Sequence, residues 1–509
     1  MSTLTHSAPI LTPGRCSRLC QVPLLAALLA AWLPLSGCRS TAPTSAAAPS
    51  APAASAPSSP APLTDEQRAL YVASFDMVWQ TVKDQHWDPA LTGATWDAAR
   101  DELRPKVESA ATADEARAAT TELLHRLGQS HFAIIPASTY RDVRGKPAAS
   151  PSAADPHRPD SPAAAAPADS ASPDSETDDA DDRPRDGYTG LTVRVAGGVA
   201  IVTRVREGSP AQTVGIKPGW IVSAIDGRAV APSLERITAT MSGSTLLEAT
   251  LAMSVERRMN GPVGGTVRIE FLDASDHAQV RTITLGPPPG FESRFGNLPT
   301  MHVTVDTARL DGNIGYIAFS AFLDPARVMP EINKAIESFS DARGIIIDLR
   351  GNPGGIGVMA NGIGGWFVTE PNQKLGTMTT RQATLNFVLN PRARPFTGPL
   401  AILVDGLSLS TSEIFAGGLQ DLRRARVFGT RTGGAALPSQ IIRLPSGDGF
   451  QFAMANYTSV GGQVLEGRGV IPDQEVHPDR AALLAGRDPV LDAAVAWIES
   501  QPGAPPPPR

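Results

Sequence analysis

Two short runs, 344–349 and 399–404, are apolar at nearly every position. A strand with one wet face alternates apolar and polar residues. An unbroken apolar run of this length fits a strand covered on both faces, as in a parallel sheet flanked by helices. Each run leads through a turn into a helical pattern. The first ends in Asp348-Leu349-Arg350-Gly351-Asn352-Pro353-Gly354-Gly355 and feeds a helix expected over 356–366. The second leads into 405–421, where Ile414, Phe415, Leu419 and Leu422 recur at helical spacing. Upstream, 314–319 reads as another strand, and Asp324-Pro325 as N-cap and first residue of a helix through Ile332, Ile336 and Phe339. The expectation is an α/β core over residues 300–499.

This pattern puts Ser410 where a strand turns into a helix. The first N–H groups of a helix have no partner within it, and its dipole is positive there. A serine at such a turn can attack a carbonyl while the N–H of the next residue, Thr411, stabilises the oxyanion. Read from this segment alone, Ser408, Ser410, Thr411 and Ser412 are better taken as helix-capping residues, one of them the N-cap, since such caps are far commoner than nucleophiles. The glycines at 354 and 355 open backbone N–H groups at a second strand-to-helix junction. They suit an oxyanion; the Lys-Ser/Thr ending of a phosphate loop is missing.

The N-terminus reads as an export signal. Arg15 and Arg18 precede an apolar run over 22–35, which ends in Leu35-Ser36-Gly37-Cys38. That ending resembles the lipobox of bacterial lipoproteins, in which Cys38 is lipidated and becomes the first mature residue. On this reading 1–37 is a signal peptide and the protein is tethered to a lipid bilayer in the bacterial cell envelope. Arg39 is no inner-membrane retention signal of the Asp type, which leans towards the outer membrane. The only cysteines are Cys16, Cys20 and Cys38, so the mature body offers no disulfide, thiolate metal site or cysteine nucleophile. Residues 38–63 are an Ala/Pro/Ser spacer. The formal net charge is −6, and residues 146–186 alone, with ten acidic and four basic side chains, carry that much. The remainder is balanced and has no basic stripe, which argues against a nucleic-acid partner. Residues 146–186 are expected to be a disordered acidic linker.

Between these linkers lies a helical pattern over 64–140. One helix places Leu70, Phe75, Val78, Trp79 and Val82 on a face, a second covers 96–107, and a third starts at Thr112 with Glu115 completing a capping box. Residues 187–287 change to short β-rich runs at 191–195, 199–205, 221–225, 267–271 and 280–285. GYTGLTV followed by VREGSPAQTVGIKPGWIVSAIDG resembles a PDZ domain. The resemblance implies that Gly187, Tyr188, Thr189 and Gly190 receive a peptide C-terminus, with strand addition at the sheet edge. Trp220 stands where that family commonly has Asp, and 232–264 holds an extra helical stretch.

DLRGNPGG, STSEIFAGGLQD and the later GRGVIPD together resemble the C-terminal-processing peptidase superfamily. The resemblance spans 64–140 and 187–480. It implies a multidomain α/β protein with a crotonase/ClpP-like core, no cofactor or metal, and a peptide or protein substrate. It makes Ser410 the nucleophile and assigns the oxyanion hole to Gly354, Gly355 and Thr411. One branch pairs the serine with a lysine 25 positions on. Ala435 stands there, no lysine follows Lys374, and Arg431 stays protonated and cannot act as a base. The tricorn-type branch instead takes a Ser-His pair from the helical segment, here Ser130-His131, and a glutamate, here Glu466. Gln129 stands where Asp is frequent in that branch. His302 and His477 are the competing bases. Non-catalytic binding and small-ester hydrolysis are the alternatives to peptide hydrolysis. If His131 serves Ser410, residues 64–137 must pack against the core despite the 160 residues or so between them.

Overall fold

The computed structural model describes residues 62–140 and 186–502. The expected signal peptide over 1–37, Cys38, almost all of the expected 38–63 spacer and almost all of the expected acidic linker lie outside the described residues. Among the described residues no helix is long and apolar enough to cross a membrane.

A six-stranded sheet organises the second half of the chain. Its order is Val305–Leu310, Ile314–Phe319, Gly344–Asp348, Leu400–Val404, Arg426–Gly429, Gln474–Glu475, and all neighbours are parallel except the first pair. The apolar runs are its two central strands. Ile345, Ile347, Ile402 and Val404 face a core shared with the helices Pro325–Ser338, Gly357–Gly364 and Thr411–Asp421. Ile346, Ala401 and Leu403 face the opposite side, covered by Val490, Ala494 and Ile498 of the helix Pro489–Ser500. Cover on both faces is why neither run alternates.

The helices Asp65–Gln85, Ala94–Glu108 and Ala113–His125 form as their apolar faces require. They do not close on themselves. Phe75, Val78, Leu103 and Leu123 share one core with Leu437, Phe450 and Phe452. The short strand Ala133–Ile135 adds antiparallel to Gly449–Ala453, pairing Ala133 with Gln451. Residues near 131 are thereby fastened to residues more than 300 positions later. One detail departs from expectation. Thr112 accepts the Glu115 N–H, but the Glu115 carboxylate reaches the N–H of Ala111, so the box is displaced by one residue.

Residues 187–287 hold a six-stranded antiparallel sheet: Leu191–Ala196, Val199–Val205, Ile221–Ile225, Thr266–Leu272 and Ala278–Thr284 follow in that order, and the short strand Arg228–Ala229 pairs with Ile221–Ile225 off this path. The extra helical stretch is two helices, Ala231–Thr240 and Leu247–Arg258. This unit meets the core through buried charge: Arg194 donates to Asp405 at 2.7 Å, and both side chains are buried.

Candidate active site

Ser410 is the N-cap residue of the helix Thr411–Asp421, so the capping reading describes its position correctly. Its backbone is not that of an ordinary cap. With φ 53° and ψ −117° it occupies a region normally left to glycine. Eight non-glycine residues among those described have positive φ, and five are Asp or Asn, which tolerate it. Arg423 is explained by its place just past the end of the helix Thr411–Asp421. The two that remain are His131, at φ 61°, and Ser410.

The strain at Ser410 is held by its neighbours. Ser408 Oγ donates to the Leu349 carbonyl at 2.7 Å, and Ser412 Oγ to the Asn352 carbonyl at 2.9 Å. These bonds staple the serine turn to the glycine loop. The Glu413 carboxylate, with no exposed surface, accepts from Ser410 N (3.0 Å), Ala435 N (2.9 Å), Gly434 N (2.8 Å) and Thr432 Oγ1 (2.6 Å). Burial pulls its pKa up to about 7 against those four donors. Sequence reasoning gave Glu413 no role, although the Ser-x-x-Glu spacing of a capping box was its signal.

Gly354 makes room rather than keeping a free donor. Its N–H goes to Asn352 Oδ1 at 2.9 Å, while a Cβ on it, at φ 90°, would stand 2.7 Å from Thr411 N and 2.8 Å from Ser410 Cβ. The N–H groups of Gly355 and Thr411 meet no acceptor among the described residues. Of the three residues expected to form an oxyanion hole, these two keep a free donor beside the serine turn.

Ser130, His131 and Glu466 are brought together. Glu466 accepts from Ser130 N at 2.6 Å and from Ser130 Oγ at 2.9 Å, and Ser130 Oγ lies 2.7 Å from His131 Nδ1. The hydroxyl proton is committed to the carboxylate, so Nδ1 carries the ring proton and Nε2 is left with a lone pair. Part of the imidazole surface stays open, but the protein around it desolvates the charged form and lowers its pKa to about 4. Burial also raises the Glu466 pKa. The array joins the serine turn through one peptide unit: Ala435 O accepts the Ser410 N–H at 2.8 Å, and Ala436 N donates to Glu466 at 3.1 Å. Ala435, where the other branch has lysine, is thus a backbone bridge. His477 pairs with Glu475 at the surface, and His302 lies in a two-stranded ribbon opposite Glu292; neither bonds to the serine turn.

The 187–190 loop is partly engaged. Gly187 N and Tyr188 N donate to the Gly261 and Gly286 carbonyls at 2.8 Å each. Thr189 N and Gly190 N meet no acceptor among the described residues. The outer edge of the following strand is covered: Glu256 accepts the Val193 N–H at 3.3 Å, and Arg194 donates to the Val193 carbonyl at 2.9 Å. A cavity of about 320 Å³ opens beyond Asp405, between Arg194, Arg350, Thr430 and Asp488, and is lined by neither Ser410 nor His131. Among the described residues no group of three or more His, Cys, Asp or Glu could hold a metal ion.

Residues 313–476 match the model of peptidase family S41, and residues 69–124 match that of the tricorn protease C1 domain. Over these two stretches the chain is similar to the C-terminal-processing, tricorn-type peptidases. A carboxyl-terminal-processing protease of Synechocystis sp. is 31% identical over 273 residues, covering 53% of this chain and 57% of the relative. A carboxy-terminal-processing protease of Bartonella bacilliformis is 26% identical over 317 residues, 60% of this chain and 64% of the relative. A tricorn protease homolog of Streptomyces coelicolor is 25% identical over 458 residues, 85% of this chain and 33% of the relative. The chain therefore spans less than two thirds of the length of each. A crystal structure of a CPAF mutant shares the fold, with a TM-score of 0.54 at 10% identity over 87% of this chain and all of that one.

Proposed function

We propose that this chain is a serine peptidase in which Ser410 is the nucleophile and His131 its base, with Ser130 and Glu466 orienting the base. One observation carries the reading: the hydrogen-bonded row Glu466–Ser130–His131 is anchored to the same Ala435–Ala436 peptide that receives the Ser410 N–H. A hydroxyl becomes nucleophilic when a neutral imidazole takes its proton. Here Ser410 Oγ attacks the substrate carbonyl, and His131 Nε2 accepts the proton. The N–H groups of Gly355 and Thr411 stabilise the oxyanion. His131 returns the proton to the leaving amine, and water releases the acyl group by the same steps in reverse. The imidazolium formed in between is stabilised through Ser130 by the Glu466 carboxylate.

The 187–287 unit is proposed to be a PDZ-like module that receives substrate C-termini, with Thr189 and Gly190 supplying the free N–H groups. Its strand edge becomes available only when Glu256 and Arg194 release Val193. The test of the catalytic reading is digestion of a peptide library. Ser410→Ala and His131→Ala should each lower turnover by about three orders of magnitude or more while leaving the fold intact. Ser130→Ala and Glu466→Gln should cost less, because they orient rather than react. Turnover unchanged in folded Ser410→Ala would end the proposal.

Anchoring is a separate proposal, resting on the Leu35–Cys38 sequence. Cys38→Ala should abolish incorporation of labelled fatty acid; a variant that remains acylated would exclude this lipid site.

A further inference from the structure

His86 lies outside the array described above, yet it is fully buried with polar partners at both ring nitrogens. It closes the helix Asp65–Gln85, and its backbone N–H donates to the Val82 carbonyl. Nδ1 accepts the Asp88 N–H at 3.0 Å, and Nε2 is 2.8 Å from Gln129 Oε1. The ring face stacks on Phe132, with centroids 5.7 Å apart and planes 18° apart. One imidazole therefore grips the residues on both sides of Ser130-His131, Gln129 before the pair and Phe132 after it.

That segment needs a grip. Gly128 has φ 64° and His131 φ 61°, two left-handed residues within four positions. A non-glycine residue stays in such a conformation only where its surroundings over-determine it. The core closes the other side. Arg381, in the turn between the strands Gln373–Thr380 and Thr384–Leu389, donates to the carbonyls of His86 at 3.0 Å and Lys83 at 3.1 Å. These are the last carbonyls of the helix, where a cation is favoured. A phenylalanine would fill the space at position 86 and stack as well. Burying the polar ring is costly unless it is hydrogen-bonded, and the bond it makes goes to the residue beside Ser130.

We propose that His86, bonded to Gln129 and backed by Arg381, is a positioning residue of the hydrolytic site, setting the 128–132 turn so that His131 presents Nε2 to Ser410. This rests on His131 being the base. His86 touches no reacting group. It acts through the geometry of the turn, and Gln129 supplies the acceptor that makes the grip specific.

The test uses the full mature chain carrying His86→Phe, Gln129→Leu, both together, and Gln129→Glu, which restores an acceptor oxygen. Peptide turnover, thermal unfolding and the ¹⁵N resonances of the His131 ring are measured on each. The single variants should lower kcat roughly tenfold to a hundredfold, since small displacements of a catalytic group cost that much. KM should stay within about twofold and the unfolding midpoint within about 4 °C of the parent's. The double variant should be no worse than the poorer single one, because one bond is lost in each case. Gln129→Glu should recover most of the lost kcat. Parental kcat and parental His131 resonances in a folded His86→Phe protein would overturn the proposal. If His86→Phe does not fold, Gln129→Leu decides by the same criteria. Should the parent chain neither hydrolyse peptides nor label, the peptidase reading fails. The positioning role is then judged on the resonances alone: a shift in His86→Phe supports it, and unchanged resonances overturn it.

Discussion

At the scale of single residues, the sequence offered candidates for the chemistry but not the residues that hold them in place. Ser410 could be singled out because a serine at a strand-to-helix turn is a local pattern; Ser130, His131 and Glu466 were candidates only through the resemblance to the tricorn-type branch. Their supports were not legible. Asn352 takes the Gly354 N–H, and the Ala435–Ala436 peptide joins the two halves of the array, yet nothing in an asparagine or an alanine pair announces such a job. His86 likewise follows a helix without any motif. The same residues set the pH response. The His131 pKa, lowered to about 4 by burial, keeps the imidazole in its basic form over most of the acid range. Protonation is what removes the base. His131 should therefore stay a base from about pH 8 down to pH 5 and be lost as pH drops through about 4, any step near pH 7 belonging to Glu413. A kcat/KM profile whose acid limb sits near the ordinary histidine value of 6.5 and stays there in Glu413→Gln would show that the base is a solvated histidine.

Whole elements were more legible than their ends. The two central strands and the helices after them follow from continuous apolar runs and helical spacing. The helix expected over 356–366 is shorter, Gly357–Gly364, because the glycine loop continues past Gly355 to pair with Phe322, whose N–H and carbonyl bond to Gly354 O and Ile356 N at 2.8 and 2.6 Å. That pairing is non-local, so no local pattern could signal it. It also explains why the loop is intolerant. Gly354→Ala would push a methyl group against Ser410 Cβ and Thr411 N at a φ that disfavours any side chain. The variant is expected to lose at least about tenfold in turnover and to be destabilised by ~1–3 kcal/mol, read by chemical denaturation. Full activity in Gly354→Ala would mean that the loop does not lie against the serine as described.

At the scale of the molecule, the chain builds its site from segments far apart. Residues 62–140 cannot bury their helical faces alone; they finish a core begun by the strand Gly449–Ala453, and this brings His131 to Glu466. The requirement that 131 and 410 meet made that packing an expectation, but periodicity within 64–127 gave no sign of which partner would complete the core. The buried Arg194–Asp405 pair then fixes the 187–287 unit to the turn that leads to the serine, since Asp405 also accepts the N–H groups of Gly351 and Leu407 at 2.9 and 3.0 Å. The central claim is that this assembly activates Ser410 through a histidine rather than a lysine. Fluorophosphonate labelling, with the modified residue located by peptide mass, tests it most directly. The account predicts near-stoichiometric label on Ser410, none in His131→Ala, and parental labelling in Lys374→Ala. Label that survives in His131→Ala but vanishes in Lys374→Ala, or a folded parent that takes no label at all, would contradict it.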